Sequence, residues 1–234
     1  MRIENMTRDD FAATMEKDPL IILPLGATEA HGPHLPLGTD SLQPEWVADR
    51  LAEKIPAFVA PPLHYGMHSS TRNMPGTIDI SFETLHQILF EILESFVRQG
   101  GKRFLVLSGH AGSTHMAAVT EACRRIVYNY GVKLMLLSDY SIADELAAGK
   151  ISPGDGHGGA VETSRIMHIR PELVKKMQDK GYYQSKGYMV IPNPETCFPQ
   201  GYAGDLSEAS AELGKELNEG IVNTLIRMIE REGL

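Results

Sequence analysis

Histidines and carboxylates gather in three short stretches of this chain: Glu29, His31, His34 and Asp40 within residues 26–40, His110 within 108–113, and Asp155, His157 and Glu162 within 155–164. A lone loop histidine is more often a hydrogen-bonded bystander, and it is the clustering that points to chemistry. Glu29, His31, Asp40 and His110 offer nitrogen and oxygen donors without thiolate, a set suited to Zn²⁺, Mn²⁺ or Fe²⁺ and unlike a structural cysteine site. Charge counting favours two ions over one. Two divalent cations bring four positive charges; Glu29, Asp40 and Glu162 bring three negative ones and a bridging hydroxide the fourth. Such a pair, ~3.5–4 Å apart, lowers the pKa of its shared water toward ~7 and polarises a carbonyl. The chemistry implied is hydrolysis. Glu162 keeps two readings at this point: a metal ligand, or a partner for the positive end of a helix starting near residue 160.

Buried strands followed by crossover helices would bring these stretches together. Continuous apolar runs at 20–25, 58–60, 104–107 and 132–137 read as strands covered on both faces. Between them lie helical patterns. One begins at Ser81, turns Leu85, Ile88, Leu89, Ile92, Leu93 and Phe96 to one side, and stops at Gly100 and Gly101. A second covers about 114–130 with Met116, Val119, Cys123, Ile126 and Val127 inward and Gly131 as its cap. A terminal helix starts near Asp205 or Ser207 and uses Leu213, Leu217, Ile221, Leu225 and Met228. This order predicts an α/β fold, a three-layer α/β/α arrangement with a mostly parallel central sheet. Ligands of such sheets bind beyond the carboxyl ends of the strands, where all three polar stretches leave. Six histidines, His31, His34, His64, His68, His110 and His157, fall in loops at or beside that edge, whereas His86 and His168 sit on helices and read as structural. No repeat or linker divides residues 1–234, so one domain is expected, and the aperiodic stretch 181–204 is expected as an ordered loop near the site or at a subunit contact.

Composition narrows the partners. With 234 residues, a net charge of −8 and 42% hydrophobic residues, the chain is long enough for a sizeable core and carries no basic block. Binding to nucleic acid or to an anionic membrane is not expected. There is no apolar run of membrane-spanning length and no signal-peptide pattern at the start, so a cytoplasmic protein is expected. Its two cysteines, Cys123 and Cys197, read as free thiols. The segment 108–113 lacks the spacings of the common phosphate-binding loops, and neither a G-x-S-x-G elbow nor an H-E-x-x-H helix is present.

At these residues the sequence resembles the creatininase family of metal-dependent amidohydrolases. The matching segments are Pro24-Leu-Gly-Ala-Thr-Glu-Ala-His-Gly-Pro-His-Leu-Pro-Leu-Gly-Thr-Asp40, Pro75-Gly-Thr77, Gly109-His110 and His157-Gly-Gly-Ala-Val-Glu162-Thr-Ser164, with a weaker echo at Gly204-Asp205. The resemblance implies that Glu29, Asp40 and His110 hold one ion and His31 and Asp40 the other, with Asp40 bridging. It implies that His157 shuttles a proton to the leaving nitrogen, and that the chain forms a homo-oligomer, with a hexamer as one form. The chain departs from the creatinine-cleaving members at Gly112 and Gly156, where they carry glutamates, so the second ion is expected to lean on Glu162 or on water.

The expected activity is therefore hydrolysis of a C–N amide bond of a small molecule by a metal-bridging hydroxide, with two divalent ions, Zn, Fe(II) or Mn, as cofactors. The substrate is narrowed by what is missing: creatinine-cleaving members surround their substrate with tryptophans, and the one tryptophan here is Trp46. The family also includes enzymes that deformylate formamidopyrimidine nucleotides in archaeal flavin and deazaflavin biosynthesis. Segment 68–77 offers Arg72 and Asn73 to read a phosphate or pyrimidine, and His34 is expected beside the ions or facing the substrate. Creatinine or another cyclic amide is the alternative substrate. The alternative of another class is a non-catalytic, metal-stabilised binding or assembly protein, which would close its coordination and leave no position for water.

Overall fold

A computed structural model of the protein describes residues 1–176 and 179–234. Helix α1 (Arg8–Met15) precedes strand β1 (Leu20–Leu25), and α2 (Thr39–Lys54) leads to β2 (Ala57–Val59). Then follow α3 (Phe82–Arg98), β3 (Arg103–Ser108), α4 (Ser113–Tyr130), β4 (Lys133–Ser138) and α5 (Asp139–Ala147). After α6 (Ala160–Ile169), a two-residue pair, β5 (Lys180–Gly181) with β6 (Gly204–Asp205), closes the long loop 181–204, and α7 (Ala211–Glu232) ends the chain.

The central sheet is parallel throughout, with strand order β2-β1-β3-β4. Alternation along β1 explains the layers. Leu20 and Ile22 face one side, where they join Val47 and Leu51 of α2, Ile142 of α5 and Leu217, Ile221 and Leu225 of α7. Ile21 and Leu23 face the other side, with Leu85, Leu89 and Leu93 of α3 and Ala118, Val119 and Ile126 of α4. The expected three-layer α/β/α architecture is the one observed, and among the described residues no helix is long and apolar enough to cross a membrane.

Several boundaries move for physical reasons. Helix α1 was not expected from its polar sequence; a reciprocal capping box between Thr7 and Asp10 starts it, and Phe11 stacks on Phe58 at 5.6 Å. The terminal helix begins later than Asp205 or Ser207. Asp205 caps a short 3-10 turn, and Ser210 caps α7 itself by accepting from the Leu213 N–H. Ile88, expected inward on α3, is exposed, and on α4 the small Ala118 and Ala122 join Val119 and Ile126 against the sheet while Met116 and Val127 are only half-buried.

The chain runs from β1 through α2 to β2 on one side and returns through α3 to β3 on the other, so strand order reverses between β1 and β3. Their carboxyl ends, Leu25 and Ser108, are register partners, and the loops leaving them diverge around a crevice. The first turn of α2 sits directly on this edge. A Cβ at Gly109 would lie 2.1 Å from the Asp40 carbonyl oxygen and 2.6 Å from Pro44 Cδ, and one at Gly26 would lie 2.5 Å from Ser41 Cα. Two glycines at two strand ends thus let the helix bring Asp40 down to the sheet. Gly109→Ala forces backbone apart at this contact, and a loss of roughly 1–3 kcal/mol of stability is expected in urea unfolding; an unchanged midpoint would show that the close approach is not required.

Candidate metal centre

Two histidines define the centre by how their rings are held. Nδ1 of His31 lies 3.0 Å from the Glu29 carbonyl oxygen, and Nε2 of His110 lies 3.1 Å from the Met67 carbonyl oxygen. A carbonyl can only accept, so each of these nitrogens carries the hydrogen, and the opposite nitrogen of each neutral ring is a bare lone pair. That lone pair faces carboxylates: His31 Nε2 is 2.9 Å from Asp40 Oδ1 and 3.8 Å from Glu162 Oε1, while His110 Nδ1 is 2.9 Å from Asp40 Oδ2 and 3.0 Å from Glu29 Oε2. Asp40 therefore presents one oxygen to each histidine.

All five residues are buried, and none of the three carboxylates is paired with lysine or arginine among the described residues. His31 Nε2, Asp40 Oδ2 and Glu29 Oε2 are enclosed and hydrogen-bonded to nothing. Lone pairs of nitrogen and carboxylate oxygen at these separations repel unless a cation lies between them, and the cation is either a proton or a metal. The donor set fits a divalent metal: His31, Asp40 and Glu162 form one group whose donor atoms lie within 4.8 Å of one another, and Glu29, His68 and His110 form another.

Glu162 has one oxygen for each of the two readings the sequence left open. Its Oε2 accepts the Gly158 N–H at 2.6 Å just before α6, and its Oε1 accepts from Gln43 Nε2 at 3.3 Å while facing His31. Asp155 accepts the Ala160 and Val161 N–H groups at 2.6 and 3.1 Å, fixing the start of the helix that carries Glu162. His157 stacks obliquely over His31 and gives its Nε2 hydrogen to the Ala30 carbonyl at 2.8 Å, and its Nδ1 has no hydrogen-bond partner among the described residues.

A cavity of about 440 Å³ opens on this cluster, lined by Glu29, Asp40, His110, His157 and Glu162 and, farther out, by Tyr140, Asp144 and Phe198. The remaining expected residues lie off its wall. His34 is buried, with Nε2 3.0 Å from Thr163 Oγ1 and its ring edge-on to Tyr202. Arg72 is exposed and pairs with Asp79 at 3.6 Å. Asn73 donates to Glu195 at 3.0 Å and lines a neighbouring apolar groove with Met74, Pro75 and Phe198. Three further residues border the cluster, none of them given a role from sequence although His68 was placed at this edge. Thr71 donates a hydrogen bond to Glu29 Oε1, His115 lies edge-on beneath His110 at 4.8 Å, and His68 is buried beside Glu29.

Without an ion the electrostatics are those of a proton trap. Burial opposes the charged form of His31, yet Asp40 and Glu162 outweigh it and raise its pKa to about 10. Burial likewise opposes a charged His110, and Glu29 and Asp40 carry it well above the usual imidazole range. Away from those carboxylates burial wins, bringing His34 down to about 4 and His115 to about 3.

Three comparisons agree with this geometry. The family model for creatininase, described as creatinine amidohydrolase, matches residues 4–229. The chain is 28% identical to creatinine amidohydrolase of Pseudomonas putida over 92% of its own length and 90% of that protein's. It is 30% identical to a mycofactocin precursor peptide peptidase of Mycobacterium ulcerans (strain Agy99), over 91% and 85%. Among solved structures, a manganese creatininase superposes with a TM-score of 0.87 at 26% identity, covering 99% of this chain and 98% of the other. A mutant creatininase of the Zn–Zn type gives 0.87 and 26% over 99% and 97%.

The proton trap makes a prediction with a definite sign. In the metal-free protein His31 and His110 hold protons at pH 7, and a metal must displace them. Binding therefore releases protons, and affinity strengthens as pH rises toward 10 and weakens as it falls. Calorimetric titration of the apo protein with Zn²⁺ in buffers of different ionisation enthalpy should give buffer-dependent heats; identical heats at pH 7 would contradict the trap.

Proposed function

The chain belongs to the creatininase family of amidohydrolases, and from that footing we propose that it hydrolyses a C–N amide bond of a small substrate in the cavity above Glu29, Asp40 and His110. The observation that carries this reading is the cavity itself. A metal-stabilised protein without catalysis would close its ligands over the ions, whereas here about 440 Å³ of space reaches the donor atoms.

Glu29, Asp40 and His110 would hold one ion and His31, Asp40 and Glu162 the other, as zinc, manganese or iron(II). Bound there, such ions supply an acidified water and a Lewis acid for the carbonyl. The protein's own part is positioning and proton transfer. Asp40 keeps the two sites at a fixed distance, and the carbonyls of Glu29 and Met67 keep each imidazole lone pair aimed inward. His157, anchored through Nε2, exchanges its proton at Nδ1, taking one from water and giving one to the departing nitrogen. Tyr140, whose pKa burial raises, stays a neutral phenol and offers a donor on the wall.

Charge selects the substrate. Beyond the ion-binding residues the cavity wall adds Asp144 and Asp155 and, among the described residues, no lysine or arginine, which favours an uncharged or cationic amide or formamide. A formamidopyrimidine nucleotide would have to place its phosphate outside, near Arg72, while a longer substrate would reach Asn73 along the neighbouring groove of Met74, Pro75 and Phe198. Creatinine, a formamidopyrimidine and a short peptide amide are the three arms of a substrate screen that separates these outcomes.

Residence in a reducing cytoplasm and assembly into a homo-oligomer, a hexamer being the form the resemblance implies, complete the reading. Cys123 and Cys197 are buried and unpaired. Tyr183, Tyr188, Met189 and Val190 stand exposed on the loop 181–204, an apolar surface suited to a subunit contact. Light scattering after size exclusion should give a mass several times that of one chain, and a single-chain mass would refute association. Asp40→Ala should strip both ions and abolish turnover. His157→Ala should keep the ions and lose about 10²–10⁴-fold in kcat. Full metal content and activity in Asp40→Ala would end the proposal.

A further inference from the structure

His68 is left without a task by the scheme above, although it is one of the most enclosed polar residues of the chain at 2% exposure. Neither of its ring nitrogens finds a hydrogen-bond partner. Its Nε2 lies 3.9 Å from Glu29 Oε2, the same oxygen that lies 3.0 Å from His110 Nδ1. The rings of His68 and His110 are 5.0 Å apart and inclined at 48°, so both edges converge on that oxygen. Ligands about 2.0–2.1 Å from a tetrahedral ion stand about 3.3 Å from one another. The two observed separations straddle that value, as expected of donors arranged around one small cation.

The other side of the ring is also provided for. Nδ1 of His68 faces Asp79 Oδ1 at 3.5 Å, and the same Asp79 oxygen accepts the His68 backbone N–H at 2.7 Å. The segment is pinned by a bridge between Gly66 and Asp79 and by the Ile80 N–H bonded to the Gly66 carbonyl at 3.0 Å. Met67 meanwhile accepts the Nε2 hydrogen of His110. One dipeptide thus orients one imidazole through its carbonyl and supplies another from its side chain. A carboxylate behind an imidazole, directing the opposite nitrogen to a metal, is a recurrent arrangement of metal sites.

We infer that His68 is a third imidazole ligand of the centre: its Nε2 joins Glu29 and His110 around one ion, while Asp79 acts as a positioning residue behind Nδ1. The ion on this side then has more protein donors than the ion at His31, Asp40 and Glu162, and the exchangeable water belongs to the latter. The inference rests on the reading of the cluster as a two-ion centre and adds to it an assignment of one ligand.

The test uses full-length protein stripped with a chelator and titrated with cobalt(II) alone. In ¹⁵N-histidine spectra of the loaded wild type, three coordinated imidazoles are expected, from His31, His68 and His110; two, with His68 unshifted, overturn the inference. His68→Gln should remove one of the three and weaken one of the two ions at least tenfold, leaving the other within about twofold. Asp79→Asn should weaken the same ion by about 10–100-fold. Wild-type affinities for both ions and an unchanged cobalt absorption spectrum in His68→Gln overturn the assignment while the two-ion reading stands. Wild-type protein that takes up no cobalt fails the two-ion reading itself. Because the wild-type histidine count needs no variant, the outcome does not depend on how well the substituted chains fold.

Discussion

Two bare imidazole lone pairs facing three buried carboxylates are the constraint around which this protein is organised. His31 and His110 spend their N–H groups on main-chain carbonyls, and what they turn inward is electron density, toward Asp40, Glu29 and Glu162. Such an arrangement is stable only with positive charge at its centre. A proton satisfies each contact singly, whereas a divalent metal satisfies several donors at once and adds Lewis acidity. The two oxygens of Asp40, one toward each histidine, suit the cluster to two ions.

The fold supplies this arrangement through the ends of two strands. β1 and β3 finish in register, and strand order reverses between them, so the loop with Glu29 and His31 and the loop with His110 open on one crevice. Asp40 belongs to neither loop; it is delivered by the first turn of α2, which lies on the strand ends because Gly26 and Gly109 have no side chains to hold it off. Glu162 comes from farther along the chain, on a helix whose start is fixed by Asp155 and by Glu162 itself. Behind α6, buried Arg165 bonds Asp139 at 2.6 Å and Asn218 at 2.9 Å, tying that helix to α5 and α7. The donor atoms are thus held by rigid elements, as a site that must keep two ions at a fixed spacing requires.

Much of this was legible in the sequence where the signal is local. Glu29, His31 and Asp40 follow one strand at short intervals, and His110 follows another, so the rule that α/β sheets bind ligands at their carboxyl edge was enough to bring them together. The layers were legible for the same reason: β1 and β3 are continuous apolar runs, and the α3 stripe of Leu85, Leu89 and Leu93 has helical period. What failed depends on tertiary context. Helix α1 carries little apolar periodicity and is held by its capping box and by Phe11 on Phe58. On α4 the inward residues include alanines that hydrophobicity alone does not single out. His68 could not be distinguished from His64 in the same loop, because what separates them is Asp79 folding back beside the first, which is buried, and the exposed position of the second beside Glu45. The choice at Glu162 between ligand and helix partner was not legible, because its two oxygens face different ways, one to the Gly158 N–H and one to His31.

Anomalous diffraction from crystals of the metal-loaded protein, collected at the absorption edge of the added metal, tests the central claim most directly. The account predicts two peaks about 3.5–4 Å apart on either side of Asp40, one against Glu29 and His110 and the other against His31 and Glu162. A fully metal-loaded crystal with no peak touching Asp40, or with a single ion and the other imidazole lone pair still facing its carboxylates alone, would contradict it.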